Sequence, residues 1–218
     1  MSKRVIIAGA SGLIGSKLLT IMLNHVDYDE VLVLVRKKLP IEHKKLIQLV
    51  IDFDKLDDHA AAITGNAVFC CLGSTQKKTP DLAVYRKIDH DYPVMLAQLA
   101  KQNGVNQYHL VSAIGANSKS SNFYTKMKGE TEDDLQEVGL KCLHIYEPSI
   151  LTGDRKESRP MERISIGLMK VINPLLIGGL KKYRSIPAQT VALAMFNESL
   201  KNDEGVFIHA SDKIKLLA

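Results

Sequence analysis

Cysteine is scarce in this sequence, and its few cysteines exclude two classes of protein. The 218 residues contain three, of which Cys70 and Cys71 are adjacent and Cys142 is distant. This spacing makes neither the disulfide framework of a small secreted domain nor the ligand set of a zinc site. A reducing compartment is therefore favoured. We expect a cytoplasmic protein in which one of the two adjacent cysteines packs as a small apolar residue.

Long hydrophobic runs are also missing. Lys3 and Arg4 precede an apolar run, as they would in a signal peptide, but glycines interrupt that run after a few residues. The longest weakly charged segment, 171–180, contains Asn173 and Pro174 and is well short of the ~18–20 residues that cross a bilayer. We expect neither secretion nor a membrane span.

The net charge does not indicate a particular binding partner, and the positions of the histidines do not indicate a metal site. Lysine and arginine number 29 against 24 aspartates and glutamates, and the formal charge of +5 mildly favours an anionic ligand. A solvated basic surface accounts for most of the lysines, and we expect no nucleic-acid partner. The histidines are spread without ligand spacing, so no metal site is predicted. They are His25, His43, His59, His90, His109, His144 and His209.

The N-terminal stretch has the pattern of a dinucleotide-binding turn. The apolar run 5–8 leads into three spaced glycines, and apolar residues then recur at helical intervals, at Leu18, Leu19, Met22, Leu23 and Val26. The first glycine allows a tight turn, the second lets a pyrophosphate approach the backbone, and the third lets the helix pack on the strand. The phosphates then bind free amides at the helix N-terminus, whereas the alternative is an ordinary glycine turn. The predicted cofactor-binding residues here are Gly9, Ser11, Gly12, Leu13, Ile14 and Gly15.

Buried strands and helices alternate along the rest of the chain. Continuous apolar runs at 30–35, 48–53, 67–73, 108–112 and 142–146 predict strands. Helical patterns lie at 81–103, where Pro93 should kink or split the helix, and at 122–138. The alternation predicts an α/β fold: one domain, 1–218, with a doubly wound, mostly parallel Rossmann sheet and helices on both faces.

The charges after the second predicted strand favour NADP(H) as the cofactor. Arg36, Lys37 and Lys38 stand where an NAD enzyme would place a carboxylate for the ribose 2′-hydroxyl. We predict that Arg36 and Lys37 contact the 2′-phosphate, the alternative being a solvated strand end. Asp52 and Phe53 are predicted at the adenine edge, unless Asp52 caps the next segment. The end of the fourth strand should meet the pyrophosphate and ribose through Cys71, Leu72 and Gly73.

A serine, a tyrosine and a lysine form the second informative pattern. Ser112 ends a predicted strand, Tyr124 follows it by twelve residues, and Lys128 comes four residues later. Residues four apart share one face of a helix, so the ammonium can lie near the phenol and favour the phenolate of a group whose pKa is ordinarily ~10. A hydroxyl at a strand end can hold a substrate carbonyl. The alternative is a surface pair on a helix, and the combined pattern favours a catalytic set.

Over nearly its whole length, the chain resembles an atypical short-chain dehydrogenase/reductase of the Tat-interacting-protein-like (HTATIP2-type oxidoreductase) branch. The resemblance implies that Tyr124 donates a proton to a carbonyl, that Lys128 tunes it and binds the nicotinamide ribose, and that Ser112 orients the substrate. It also implies that Pro148, Ile150 and Leu151 line the nicotinamide pocket. No residue matches the catalytic asparagine of the larger family. The stretches that carry the resemblance are 9–15, 71–75, 120–124, 128–130 and 154–160.

The predicted function is hydride transfer between NADP(H) and a small carbonyl or alcohol. Because the resemblance also implies NADPH binding and a protein partner, a non-enzymatic regulatory or redox-sensing protein is the alternative, and a sugar-nucleotide epimerase or dehydratase is another. The substrate cleft is assigned to the segment from about 150 to 218, with 164–180 as core or cleft cover, a dimer contact or a membrane-surface contact. A monomer and a homodimer both fit the sequence.

Overall fold

A parallel sheet of seven strands is the centre of the computed structural model, which describes residues 3–153 and 173–218. The strand order is β3-β2-β1-β4-β5-β6-β9, and a separate pair, β7 and β8, is also parallel. The strands are β1 (Arg4–Ala8), β2 (Glu30–Val35), β3 (Leu46–Val50), β4 (Ala67–Cys70), β5 (Gln107–Val111), β6 (Cys142–Glu147), β7 (Leu151–Thr152), β8 (Ile186–Pro187) and β9 (Gly205–Ala210).

Helices cover both faces of this sheet, which confirms the doubly wound α/β prediction. The α-helices are α1 (Leu13–Asn24), α2 (Leu82–Arg86), α3 (Tyr92–Gln102), α4 (Phe123–Val138), α5 (Ala188–Ser199) and α6 (Ser211–Leu217). Short 3₁₀ helices lie at Phe53–Ala62, Asn173–Leu175 and Gly178–Tyr183, and a π-helical turn lies at Lys87–Asp91.

The sheet separates two hydrophobic cores, and β1 shows how. Val5 and Ile7 belong to the core under α1 and α5, whereas Ile6 and Ala8 belong to the core under α3 and α4. All four side chains are fully buried, because successive residues of a strand point to opposite faces and both faces are covered. Continuous apolar runs, rather than alternating ones, are therefore what this fold requires.

The ends of two predicted elements differ from the structure. β3 occupies Leu46–Val50 rather than 48–53, because Asp52 caps the 3₁₀ helix that follows: its carboxylate accepts a hydrogen bond from the Asp54 amide at 3.1 Å. The capping interpretation of Asp52 is thus confirmed. Val26 does not belong to the stripe of α1, which ends at Asn24, and its side chain is 86% exposed.

Pro93 splits the long predicted helix, as expected. It lies in the first turn of α3, where a missing amide costs nothing, and the π-helical turn separates α3 from α2. Within that turn, Asp89 and His90 are buried. A π turn often marks a functional site, and this one carries a buried carboxylate.

The C-terminal elements α5, β9 and α6 were not predicted. β9 is an edge strand whose Val206 and Ile208 are about half exposed, and its continuous apolar run is only three residues long, 206–208. No helix in the described part of the chain is both long and apolar enough to span a bilayer. The stretch 154–160 and the first part of 164–180 lie outside the described residues.

Candidate functional site

The glycine turn joins β1 to α1 by close backbone contacts. Gly9 has a φ of +85°, and a Cβ placed there would lie 2.4 Å from the Cys71 carbonyl oxygen. A Cβ at Gly15 would lie 2.3 Å from the Gly9 carbonyl oxygen, so α1 packs against the turn through its backbone. Glycine is therefore required at both positions on steric grounds.

The N-terminus of α1 is open for a phosphate. Gly12 is the residue before the helix, and among the described residues no side chain caps it. The first amides of a helix have no partner within the helix and carry a partial positive charge. Ser11 is exposed in the same turn, whereas Ile14 is buried in the core. This cradle fits the diphosphate of a dinucleotide.

Two further segments border the turn. The Cys71 amide donates to the Ala8 carbonyl at 2.8 Å, which holds the segment 71–73 beside the turn. On the other side, a Cβ at Gly153 would lie 3.5 Å from the Leu13 side chain. The predicted pocket residues Pro148, Ile150 and Leu151 lead into that second segment, and Ile150 is 41% exposed. The structure thus brings the predicted pyrophosphate and nicotinamide segments to one edge of the sheet.

The predicted adenosine residues follow β2 and β3. Arg36 and Lys37 come directly after β2 and are exposed, whereas Phe53 is buried and its ring centroid lies 5.5 Å from that of Tyr92. Burial and the hydrogen bond to Asp54 raise the pKa of Tyr92 to about 12, and the Arg36 charge opposes this shift. The charge of Arg36 therefore acts on Tyr92.

The predicted catalytic residues occupy the carboxyl end of the sheet. Ser112 directly follows β5 and is buried, and its amide donates to the Tyr146 carbonyl at 2.7 Å. Tyr124 and Lys128 lie one turn apart on α4, whose N-terminus Asn122 caps by accepting from the Thr125 amide at 3.1 Å. Tyr124 is 39% exposed, whereas Lys128 is only 4% exposed. The Tyr124 side chain is thus partly open to a ligand, and the Lys128 ammonium is buried one turn further along the same helix.

Asp89 holds that ammonium and was missed in the sequence. Lys128 Nζ lies 3.0 Å from Asp89 Oδ1, and both side chains are almost fully buried. The other oxygen, Asp89 Oδ2, accepts from the Ser74 amide at 2.7 Å. Asp89 therefore links α4 to the loop that follows β4. No local pattern indicates this pair, because its two residues belong to different helices.

The charge of Asp89 changes the expected behaviour of Tyr124. Lys128 does lower the pKa of the phenol, as predicted, but burial raises it more and Asp89 raises it further. The net shift is upward, so the expectation of a favoured phenolate is wrong for the protein without ligand. The raised pKa favours the neutral phenol of Tyr124, and a neutral phenol is a proton donor.

Glu132 is a second residue that the sequence interpretation missed. Ser112 Oγ donates a hydrogen bond to Glu132 Oε1, and Glu132 is 6% exposed. Burial raises the pKa of Glu132 to about 7, and the Ser112 bond opposes this shift. A signal was available, because Glu132 follows Lys128 by four residues, as Lys128 follows Tyr124. The same helical spacing therefore extends the catalytic face of α4 by one turn.

A loop fixes the other side of α4. A Cβ at Gly129 would lie 2.1 Å from the Ser118 amide nitrogen, so the loop packs directly on the helix. The Asn117 amide also donates to the Thr125 carbonyl at 2.9 Å. These contacts hold the start of α4, and with it Tyr124, against the segment that follows Ser112.

Two of the histidines, which are far apart in the sequence, lie together in the structure. His144 and His209 lie with Glu198 so that one potential ligand atom from each is within 4.8 Å of the others. His144 Nδ1 and His209 Nε2 are 3.0 Å apart, and Lys201 Nζ is 2.5 Å from Glu198 Oε1. These internal partners account for the cluster, which lies outside the site described above.

Comparison with known proteins identifies relatives over nearly the whole chain. The model of a family described as NAD(P)H-binding matches residues 9–164. The chain is 36% identical to Protein HTATIP2 of Rattus norvegicus, over 94% of this chain and 84% of that protein. It is 31% identical to Protein fmp52-1, mitochondrial, of Aspergillus terreus (strain NIH 2624 / FGSC A1156), over 98% of this chain and 94% of that protein.

Solved structures agree on the fold. MoeE5 in complex with UDP-glucose and NAD has a TM-score of 0.71 at 16% identity, over 97% of this chain and 79% of that one. The UDP-N-acetylglucosamine 4-epimerase from Methanobrevibacter ruminantium M1 has a TM-score of 0.70 at 17% identity, over 96% of this chain and 76% of that one. At such low identity the likeness shows the fold alone.

Proposed function

This chain belongs to the NAD(P)H-binding family, and we propose that within it the protein is an NADP(H)-dependent oxidoreductase that acts on a small carbonyl or alcohol. The observation that carries the proposal is the accessible phenol of Tyr124, one turn from Lys128, whose ammonium is buried against Asp89. A buried lysine and aspartate pair is costly to desolvate, and its place beneath an exposed phenol supports a catalytic role.

The residues around the glycine turn fit a dinucleotide. Gly12 and the open amides of α1 would hold the diphosphate, and segment 71–73 would border it. The cofactor, when bound, supplies or accepts the hydride. We assign NADP(H) rather than NAD(H) because Arg36 and Lys37 are exposed after β2, where a guanidinium can bind a 2′-phosphate through two hydrogen bonds.

Tyr124, Lys128 and Ser112 would bind the substrate oxygen and transfer a proton to it. Tyr124 holds a proton on its phenol and would give it to a carbonyl oxygen during reduction. Lys128 lowers the cost of the resulting phenolate, and Asp89 keeps Lys128 charged and fixed at 3.0 Å. Ser112 would hydrogen-bond the same oxygen from the end of β5. In oxidation of an alcohol, each proton would move in the opposite direction.

The test is turnover of NADPH across a panel of aldehydes, ketones and quinones, with the Tyr124→Phe variant beside the wild type. We expect Tyr124→Phe to lower turnover roughly 10²–10⁴-fold, which is the usual share of general acid catalysis. NADPH affinity, followed by its fluorescence, should change only a few-fold. Lys128→Met should also lose turnover, whereas the matched control Lys126→Met, exposed on the same helix, should not.

Two alternatives predict different results in that assay. A regulatory NADPH-binding protein would bind the cofactor without oxidising it in the presence of any panel member. An epimerase or dehydratase would interconvert a sugar nucleotide without net NADPH consumption. Reduction of a panel member that depends on Tyr124 would contradict both.

Location and assembly stay predictions. Several fungal relatives bear the word mitochondrial in their names, so the relatives do not favour the cytoplasm over the mitochondrion. Fractionation of cells that produce the tagged full-length chain would decide between the two, and sedimentation would separate monomer from homodimer. A protein partner also remains a proposal.

A further inference from the structure

A short helix in the C-terminal part of the chain exposes its apolar side chains. The 3₁₀ helix Gly178–Tyr183 has no buried residue. Ile177, directly before it, and Leu180 and Tyr183 within it are 68%, 52% and 43% exposed. Residues three apart lie on one face of a 3₁₀ helix, so these three side chains share a face. Single exposed apolar residues are ordinary, but a group on one face marks an interaction surface.

Hydrogen bonds close the segment that carries this face. Asn173 Nδ2 donates to Ser185 Oγ at 2.8 Å, and the Ser185 amide donates to Asn173 Oδ1 at 3.0 Å. Arg184 Nε also donates to the Leu176 carbonyl at 2.8 Å. The two ends of the segment 173–185 are thus tied together, and the apolar side chains between them are exposed in a defined arrangement.

The same segment is attached to the edge of the sheet that carries the site. The Ile186 amide donates to the Ile150 carbonyl at 3.0 Å, where β8 lies beside β7. From the other side, Lys215 Nζ of α6 donates to the Ser185 carbonyl at 3.1 Å. The segment and α6 therefore border the residues predicted to line the nicotinamide pocket.

The charge around the apolar face is positive. The chain contains no aspartate or glutamate from 163 to 197. Exposed apolar residues accompanied by lysines are typical of a surface that enters the headgroup region of an anionic bilayer. The group consists of the exposed Lys181, Lys182, Lys213 and Lys215, with Asp212 as the one acid of α6.

The shape of this face favours a bilayer over a protein partner. A Cβ placed at Gly178 or Gly179 would meet no atom of the described residues within 4 Å, so the helix stands clear of the elements around it. Protein interfaces depend on side chains that fill well-packed pockets. A fluid bilayer needs no matching pocket, because its lipids rearrange around an inserted side chain.

We propose that the face formed by Ile177, Leu180 and Tyr183 binds to the surface of an anionic lipid bilayer. The apolar side chains enter the boundary between headgroups and acyl chains, and the ammonium groups of the lysines stay at the level of the headgroups. Tyrosine suits this boundary because its ring is apolar and its hydroxyl is polar. Binding brings the carboxyl edge of the sheet close to the lipid.

Flotation of the full-length chain with lipid vesicles tests the proposal without NADPH or substrate. We expect binding to vesicles of phosphatidylcholine and phosphatidylserine in equal parts, far weaker binding to phosphatidylcholine alone, and release by salt. Lys181→Ala/Lys182→Ala should weaken the binding roughly thirtyfold, since each basic residue near such a surface contributes about fivefold. The charge-matched control Lys44→Ala/Lys55→Ala, whose exposed lysines flank β3 at the opposite edge of the sheet, should bind like the wild type.

A second pair of variants tests the apolar side chains. Ile177→Ser/Leu180→Ser should weaken binding to the anionic vesicles about tenfold or more, because less apolar area leaves water. Val26→Ser is the matched control, since Val26 is exposed beyond the end of α1, and it should bind like the wild type. All these side chains are exposed, so circular dichroism should show an unchanged fold.

Three results would overturn the proposal. Absence of binding, or equal binding to the anionic and the phosphatidylcholine vesicles, would exclude an anionic bilayer and leave a protein as the partner of this face. Equal losses in Lys181→Ala/Lys182→Ala and in its control would show that net charge, rather than this face, attracts the vesicles. A dimer that forms without vesicles and dissociates in Ile177→Ser/Leu180→Ser, as measured by sedimentation equilibrium, would assign the face to a second copy of the chain.

Discussion

The glycine turn and the cluster around Lys128 lie at the same edge of the sheet but are built in different ways. In the turn, backbone atoms meet backbone atoms within a short stretch, and a Cβ at Gly15 would lie 2.3 Å from the Gly9 carbonyl oxygen. In the cluster, charged side chains from separate elements meet, with Asp89 and Lys128 3.0 Å apart and almost fully buried. The turn can form only because its glycines have no Cβ, whereas the cluster is stable only because its buried charges are paired. Substitutions should therefore affect the two regions by different mechanisms.

The largest effect should come from removing one charge of the cluster. Asp89→Ala leaves the Lys128 ammonium buried without its carboxylate, and breaking a buried pair in this way costs about 3–5 kcal/mol of unfolding free energy. Urea denaturation at neutral pH would measure it. The double variant Asp89→Ala/Lys128→Met should recover much of the loss, because no uncompensated charge remains.

Asp57→Ala is the matched control for that experiment, because Asp57 is exposed. It should change the free energy of unfolding by less than about 0.5 kcal/mol. A loss at Asp89 no larger than the loss at Asp57 would contradict the idea that Lys128 stays charged when buried.

The next effect is a pH dependence of stability that arises from Glu132. Its pKa is raised from 4.5 to about 7 in the folded protein, so between these values the folded state holds a proton that the unfolded chain releases. The contribution is fully present below the unfolded pKa and is lost as the pH rises through the folded pKa, which amounts to about 3 kcal/mol.

Urea denaturation at several pH values would reveal this slope. Glu132→Gln has no ionisable carboxyl and should be flatter between pH 4.5 and pH 7 than the wild type. Identical slopes in the two proteins would show that Glu132 titrates normally. The glycine turn contains no titratable side chain, so no such slope is expected from its variants.

The preference for NADPH over NADH should depend on a smaller contribution to the binding free energy, made by Arg36 next to the turn. Arg36→Ala removes a charge-assisted contact worth roughly 1.5–3 kcal/mol, so NADPH should bind about ten- to a hundredfold more weakly. NADH lacks the 2′-phosphate and should bind with nearly unchanged affinity. Paired binding isotherms of both nucleotides measure the difference. If Arg36→Ala weakened the binding of NADPH and NADH equally, or if the wild type bound both with equal affinity, Arg36 would not recognise the 2′-phosphate.

The smallest effect on stability should come from adding a methyl group in the glycine turn. A control glycine elsewhere distinguishes the steric clash from the general effect of replacing glycine by alanine. Gly15→Ala places a methyl group against the Gly9 carbonyl and should cost about 1–3 kcal/mol, as overpacking does. Gly179→Ala is the matched control, since a Cβ there meets no atom of the described residues within 4 Å. Thermal unfolding of both variants makes the comparison. Equal midpoints would mean that α1 shifts to accept the methyl group.

The sequence predicted best those features whose interacting residues are close to one another along the chain. Gly9 and Gly15 lie in one short segment with the residues they contact, and the strands on both sides of the sheet appear as continuous apolar runs. The split at Pro93 could also be predicted, because the missing amide is a property of that residue alone. β9 was not predicted, because its apolar run, 206–208, is only three residues long and a strand signal takes roughly four to eight.

Composition and local spacing by themselves determined a doubly wound α/β fold, a turn suited to a diphosphate, and the face of α4 that carries Tyr124 and Lys128. Only the tertiary structure decided the charge state of that face. Burial is the largest cause that raises the pKa of the Tyr124 phenol and that of the Glu132 carboxyl, and Asp89 and Glu147, which belong to other elements, raise these pKa values further. The physical reason is that helical periodicity is local, whereas desolvation and Coulomb interactions depend on which distant segments are buried together.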